Sequence, residues 1–157
     1  MKFFDAKVDL SDYVETLVIP KGDQTFIFKA RPVTASDYEE FDGFCKQPEP
    51  PKFFVPGGGE EVDTENEGFI QACNDYATKR AGFMFMRSLD VTEGLTWDTV
   101  IADDPSTWEN MQTELQAAGF ADQEITHVFN LIITANGLDS DKIEKATASF
   151  LASVESQ

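Results

Sequence analysis

The chain has 157 residues, of which 41% are hydrophobic and 14 are Phe. That is enough for one domain with a real core, and it excludes a disordered polypeptide. The net charge is −17, from 29 acidic and 12 basic residues, so the surface repels nucleic acid and anionic lipid and favours a basic or aggregation-prone partner.

The acidic excess is uneven, because residues 90–157 contain only two bases, Lys142 and Lys145. The opening "MKFFDAKVDL" meets charges too early for a secretory signal. No apolar run approaches the roughly 18 residues of a membrane span. Cys45 and Cys73 lie outside any Cys-x-x-Cys spacing, which predicts free thiols in a reducing cytoplasm.

In chain order, residues 13–33 predict a β-hairpin. Val14, Leu17 and Ile19 supply one strand, "PKGDQ" the turn, and Phe26, Ile27 and Phe28 the return. Thr34 is placed to cap a helix with Asp37 in its first turn. Tyr38, Phe41, Phe44 and Cys45 share a face of that helix, and Pro48 ends it.

Residues 47–63 form a Pro/Gly-rich loop. It holds four of the seven prolines and the triplet Gly57–Gly59, yet it also carries Phe53, Phe54 and Val55. Two readings follow. These three residues are an exposed docking segment, held extended by the prolines and freed by the glycines. Alternatively, the rings fold back and cap the domain's own core.

Residues 64–154 predict a helical bundle. Thr64 and Glu67 make a capping box for a long helix through Leu89, expected to pack on more than one side. Trp97 and Val100 mark a short helix or turn. Asp104 and Pro105 open the next helix, with Trp108, Met111, Leu115 and Ala118 on its stripe and Gly119 as its stop. Ile125, Val128, Phe129, Ile132 and Ile133 then line a helix that stops at Asn136-Gly137. In the last helix, capped by Asp139, the pattern places Ile143, Ala146, Phe150, Leu151 and Val154 facing inward. The short connections predict that these three helices pack as antiparallel neighbours. The fold class is therefore mainly α: a single domain of about five helices with an N-terminal β-hairpin.

Catalytic constellations are scarce. His127 is the only histidine, and no nucleophile or orienting carboxylate can be placed beside it. Two cysteines and one histidine do not make a structural zinc site. Asp139 and Asp141 lack the remaining ligands and the glycine of a calcium loop, and read as a helix N-terminus. Gly57–Gly59 are followed by Glu60 and Glu61 rather than Lys and Ser/Thr, so they do not cradle phosphate. Arg80 and Arg87 share a helix face with Tyr76 and Phe83. In so acidic a chain, pairing with its own acidic helices outweighs a nucleic-acid groove. No catalytic residue, cofactor or metal is expected, and an enzyme would need a site of carboxylates alone, of which no spacing singles out a pair.

The stretch "WDTVIADDPSTWENMQTELQAAGFADQEITHVFNLIITANGLDSDKIEKATASFLAS" resembles the tail assembly chaperones of long-tailed bacteriophages. The resemblance rests on Trp97–Val100, the Pro105–Trp108 helix start, "AGF" with Glu124-Ile125 after it, "NGL" and "FLA". "FIFKARPVTASDYEEF" is similar to the start of such proteins, where a short β segment precedes the first helix. Ala121 departs from the pattern, standing where a Ser N-cap would complete a capping box with Glu124. The resemblance implies a non-enzymatic role in the host cytoplasm, with no place in the finished virion. The implied partners are the aggregation-prone tape measure protein, which the chaperone binds, and the tail tube protein, whose arrival displaces it. Many such proteins are made in two lengths by a ribosomal frameshift, the longer recruiting tube subunits, and the resemblance leaves open whether this chain is the short form. Self-association is a further expectation, since many copies serve one client. From the residues alone, Phe53, Phe54 and Val55 are the candidate partner-binding site. The competing function is an acidic nucleic-acid mimic that inhibits a host enzyme, which requires carboxylates arrayed like phosphates and salt-sensitive binding.

Overall fold

The computed structural model describes residues 1–156. They form five α-helices and three small two-stranded antiparallel sheets, a mixed α/β arrangement rather than a purely helical one. The strands are β1 (Lys2–Phe3), β2 (Ala6–Lys7), β3 (Glu15–Lys21), β4 (Gln24–Ala30), β5 (Lys52–Phe54) and β6 (Glu60–Val62). The helices are α1 (Ala35–Phe44), α2 (Glu67–Ser88), α3 (Asn110–Ala118), α4 (Asp122–Ala135) and α5 (Ser140–Glu155). Their contacts gather into two compact units.

The first unit comprises Met1–Pro32, Ser88–Leu95 and the described residues from Ala121 onward. Its centre is the predicted hairpin. β3 and β4 pair in the register Leu17↔Phe28 and Ile19↔Phe26. Successive side chains alternate between sheet faces. Leu17, Ile19, Phe28 and Ala30 therefore share the face that is buried or half-buried, while Val18 and Ile27 lie exposed on the other. The covered face packs against α4, whose buried residues are Ile125, Val128, Leu131, Ile132 and Ala135. Leu131 and Ala135 join the expected stripe, while Ile133 and Phe129 are only half-buried.

The unit's cross-links are polar and specific. Asn136 donates from Nδ2 to the Ser88 hydroxyl oxygen and to the Ile132 carbonyl, both at 2.8 Å. Arg31 forms a two-pronged ion pair with Asp90 at 2.8 and 2.9 Å. Lys21 meets Glu124 at 2.6 Å. Glu124 also accepts from the Ala121 N–H at 2.9 Å. Since Ala121 offers no side-chain oxygen, only the Glu half of a capping box exists there.

The second unit comprises Val33–Arg87 and Thr96–Phe120. Its core is aromatic: Phe41, Phe83 and Trp108 are essentially solvent-free and join Met86 and Met111. The Phe41–Phe83 and Phe83–Trp108 ring centroids both lie 5.4 Å apart with tilted planes, the geometry favoured by ring quadrupoles. The Trp108 indole N–H donates to the Ile101 carbonyl at 3.0 Å, so its buried polar atom is satisfied. Thr34 and Asp37 cap α1 reciprocally, as the sequence predicts.

Three expectations are corrected. Asn66, not Thr64, caps α2, accepting from the Phe69 N–H at 3.0 Å; it is the residue directly before the helix, the position from which a side-chain oxygen reaches the third helical N–H. Residues 105–107 form a separate 3₁₀ turn capped by Asp104, and α3 begins only at Asn110. The apolar residues of α5 do not face inward, because no residue of that helix is buried. α4 spends its apolar face on the β-hairpin.

Candidate functional site

The segment 52–62 is a short hairpin rather than an irregular loop. β5 and β6 pair in the register Lys52↔Val62, Phe53↔Glu61 and Phe54↔Glu60. Gly57, Gly58 and Gly59 close it with φ of 109°, 96° and 151°, a left-handed backbone that side chains other than glycine resist. Val55 N–H donates to Gly59 O at 3.0 Å across this turn. At the base, Asp63 N–H donates to Pro51 O at 2.8 Å. The prolines thus bracket the strands, outside the ladder positions they cannot fill.

This register decides what the hairpin presents. Phe54 and Val62 lie on one face with Lys52 and Glu60, and Phe53 lies on the other with Glu61. Phe53 is 46% and Phe54 83% exposed, while Val55 is half-buried. The two rings therefore stand in solvent, each directly opposite a carboxylate.

Two further apolar surfaces lie in the first unit, and the residue pattern did not show that either is uncovered. The β1–β2 turn raises Phe3 and Phe4 into solvent, with Phe4 and Asp5 both at positive φ. On α5, Ile143, Phe150, Leu151 and Val154 are all exposed. An apolar stripe at helical spacing looks the same in sequence whether its own chain or another molecule covers it.

Among the candidate chemical groups, Arg80, Arg87 and Asp139 are held in structural roles. His127 lies exposed on α4. Cys45 and Cys73 are free thiols. Burial pushes the Cys45 thiol above its ordinary pKa against the opposing Lys79 charge, which disfavours a reactive thiolate. Arg87 pairs with Asp37 at 3.4 Å and Glu40 at 2.7 Å, and the Arg80 guanidinium stacks 3.8 Å from the Tyr38 ring centre. Both arginines thus engage their own unit. Asp139 caps α5 by accepting from the Lys142 N–H at 3.3 Å. Among the described residues, no three His, Cys, Asp or Glu side chains cluster to hold a metal, and no helix is long and apolar enough to cross a membrane.

Carboxylate electrostatics are local. Glu15 accepts from the Tyr13 hydroxyl and, at 2.9 Å, from the Lys142 ammonium; these bonds, the first above all, hold its carboxyl below the usual range. Burial pushes Glu114 up, but donors from Asp98 and Thr99 together outweigh it and leave the carboxyl low. Both carboxyls are thereby held ionised at neutral pH. No protein-family model, curated protein or solved structure matches the chain.

Proposed function

We propose that the chain is a non-catalytic tail assembly chaperone of a long-tailed bacteriophage. In this reading it binds the tape measure protein in the host cytoplasm, keeps it soluble, and helps recruit tail tube protein before being displaced. The observation that carries the proposal is the 52–62 hairpin, which holds Phe53 and Phe54 in solvent opposite Glu61 and Glu60. The resemblance of residues 97–153 to these chaperones supplies the client's identity.

The physical logic is that of a reversible holdase. A client's apolar helix needs its exposed face covered, and the complex must stay soluble. Burying a Phe side chain contributes about 1.5–3 kcal/mol, and association then subtracts several kcal/mol of lost freedom. Each copy therefore binds weakly and releases readily, while many copies along one long client hold it together. The carboxylates beside the rings, within a chain of net charge −17, keep the assembly dispersed by mutual repulsion.

Co-expression with the tape measure protein, followed by recovery of the soluble fraction, tests this directly. The expected result is a client that is insoluble alone, soluble with the chain, and co-purified with it. A client that stays insoluble and unbound at comparable expression overturns the proposal.

A further inference from the structure

We propose that α5 pairs with the α5 of a second copy of this chain, antiparallel about a two-fold axis passing between Ala148 and Ser149. Ile143, Phe150, Leu151 and Val154 are 57%, 65%, 53% and 52% exposed, and no residue of the helix is buried. Isolated helices of this length are marginal in water, and Thr147, Ser149, Ser153 and Val154 add little intrinsic propensity. Within its unit, α5 is tied at its first turn, by the Asp139 cap and the Lys142–Glu15 pair at 2.9 Å. The rest of the helix needs packing that the described chain does not supply.

The pattern of the exposed face selects the occupant. Ile143, Thr147, Phe150 and Val154 follow alternating steps of four and three, the seam of paired helices. This seam is symmetric about its midpoint. A reversed copy sets Ile143 level with Val154 and Thr147 level with Phe150, giving each larger side chain a smaller one opposite. That self-complementarity is what an isologous interface requires; an unrelated client helix has no reason to match it.

The polar groups agree. The Thr147 hydroxyl donates to the Ile143 carbonyl at 2.8 Å, so it carries no unpaired donor into the seam. No charged residue lies between Lys145 and Glu155, so the contact sets no like charges face to face despite the chain's net charge. The antiparallel arrangement opposes the two helix dipoles and places the Lys142 end of one helix beside the Glu155 end of the other. The seam is only about 16 Å long, so the interface is small and the dimer weak and concentration-dependent.

Sedimentation velocity on the purified chain, from low micromolar to about 1 mM, tests the pairing. The wild type is expected to shift from monomer towards dimer as concentration rises. Phe150→Glu and Phe150→Lys should each remain monomeric, because the two copies of residue 150 lie close across the axis and repel. An equimolar mixture of the two variants should regain association. A wild type that stays monomeric throughout, either variant associating like the wild type, or a mixture that fails to regain association overturns the proposal. Phe150 is exposed, so its replacement leaves the packed part of the unit intact. No client is present, so this result stands or falls independently of the chaperone reading.

Discussion

The side chain of Thr92 satisfies both backbone groups of Lys29: its Oγ1 accepts from the Lys29 N–H at 2.9 Å and donates to the Lys29 carbonyl at 2.8 Å. Thr92 is buried, and the bonds fasten the turn after α2 to the open edge of β4, where no further strand completes the ladder. Replacing Thr92 with Val keeps the shape and removes both bonds. Because two part-buried backbone groups lose their partner, we expect a destabilisation of about 1–3 kcal/mol, read as a lower urea midpoint with an unchanged slope. Thr92→Ser keeps the hydroxyl and should lie closer to wild type. Equal midpoints for the Val variant and the wild type would show that water replaces the bonds at no cost.

Gly82 sits within α2, where glycine costs about 1 kcal/mol relative to alanine. Its reason is contact: a Cβ built there would lie 3.1 Å from the Cβ of Trp108, and Trp108 is essentially solvent-free. In Gly82→Ala the helix gain and the crowding oppose each other, so the net change should stay within about 1 kcal/mol. Gly82→Val adds a whole isopropyl group against a packed ring and should destabilise by about 1–3 kcal/mol or more. Tryptophan fluorescence during denaturant unfolding reads both, and a Val variant as stable as the wild type would mean that Trp108 yields at little cost.

The parts of the fold legible in the sequence are those written in local chemistry. The β3–β4 hairpin follows from alternating apolar residues around a Gly-containing turn, and the Thr34–Asp37 cap from residue type and spacing. The α4 stripe follows from its period, although Leu131 and Ala135 widened it. What local chemistry does not encode is where an apolar stripe goes. The period of α5 is as regular as that of α4, yet α4 covers the hairpin and α5 covers nothing in the described chain. The cap of α2 is ambiguous in sequence for a related reason: Thr64 and Asn66 are both good caps, and only the true helix start chooses between them. In the 52–62 segment the breakers were legible as breakers, but three residues per strand are too few to declare a ladder.

Acid sensitivity follows from the carboxylates. Glu15 and Glu114 have folded-state pKa values below the ordinary 4.5, the first chiefly through the Tyr13 hydroxyl, the second through turn donors that outweigh its burial. Below 4.5 the unfolded chain therefore binds protons that the folded chain still refuses. The contribution of these groups is fully present above that value and is lost as pH falls through their folded pKa values. We expect stability in urea to decline as pH drops below about 4.5. In Glu114→Gln the neutral-pH midpoint should be lower and the decline shallower, because one linked proton is gone. A slope unchanged by this substitution would place the proton uptake elsewhere.

The last prediction separates fold from function at the 52–62 hairpin. Phe54 is 83% exposed and Phe53 nearly half, so neither ring contributes the burial that makes a core Phe worth several kcal/mol. Phe53→Ser with Phe54→Ser should therefore change stability by no more than about 1 kcal/mol, measured as the thermal midpoint of the purified chain. The same variant should lose most of its capacity to keep the tape measure protein soluble, since each copy gives up about 3–6 kcal/mol of apolar contact with the client before ordering costs. A sharp fall in the thermal midpoint would assign the rings to the chain's own packing. An unchanged midpoint with undiminished client recovery would move the client site off this hairpin, leaving the α5 face and the Phe3–Phe4 turn as the apolar surfaces to substitute next.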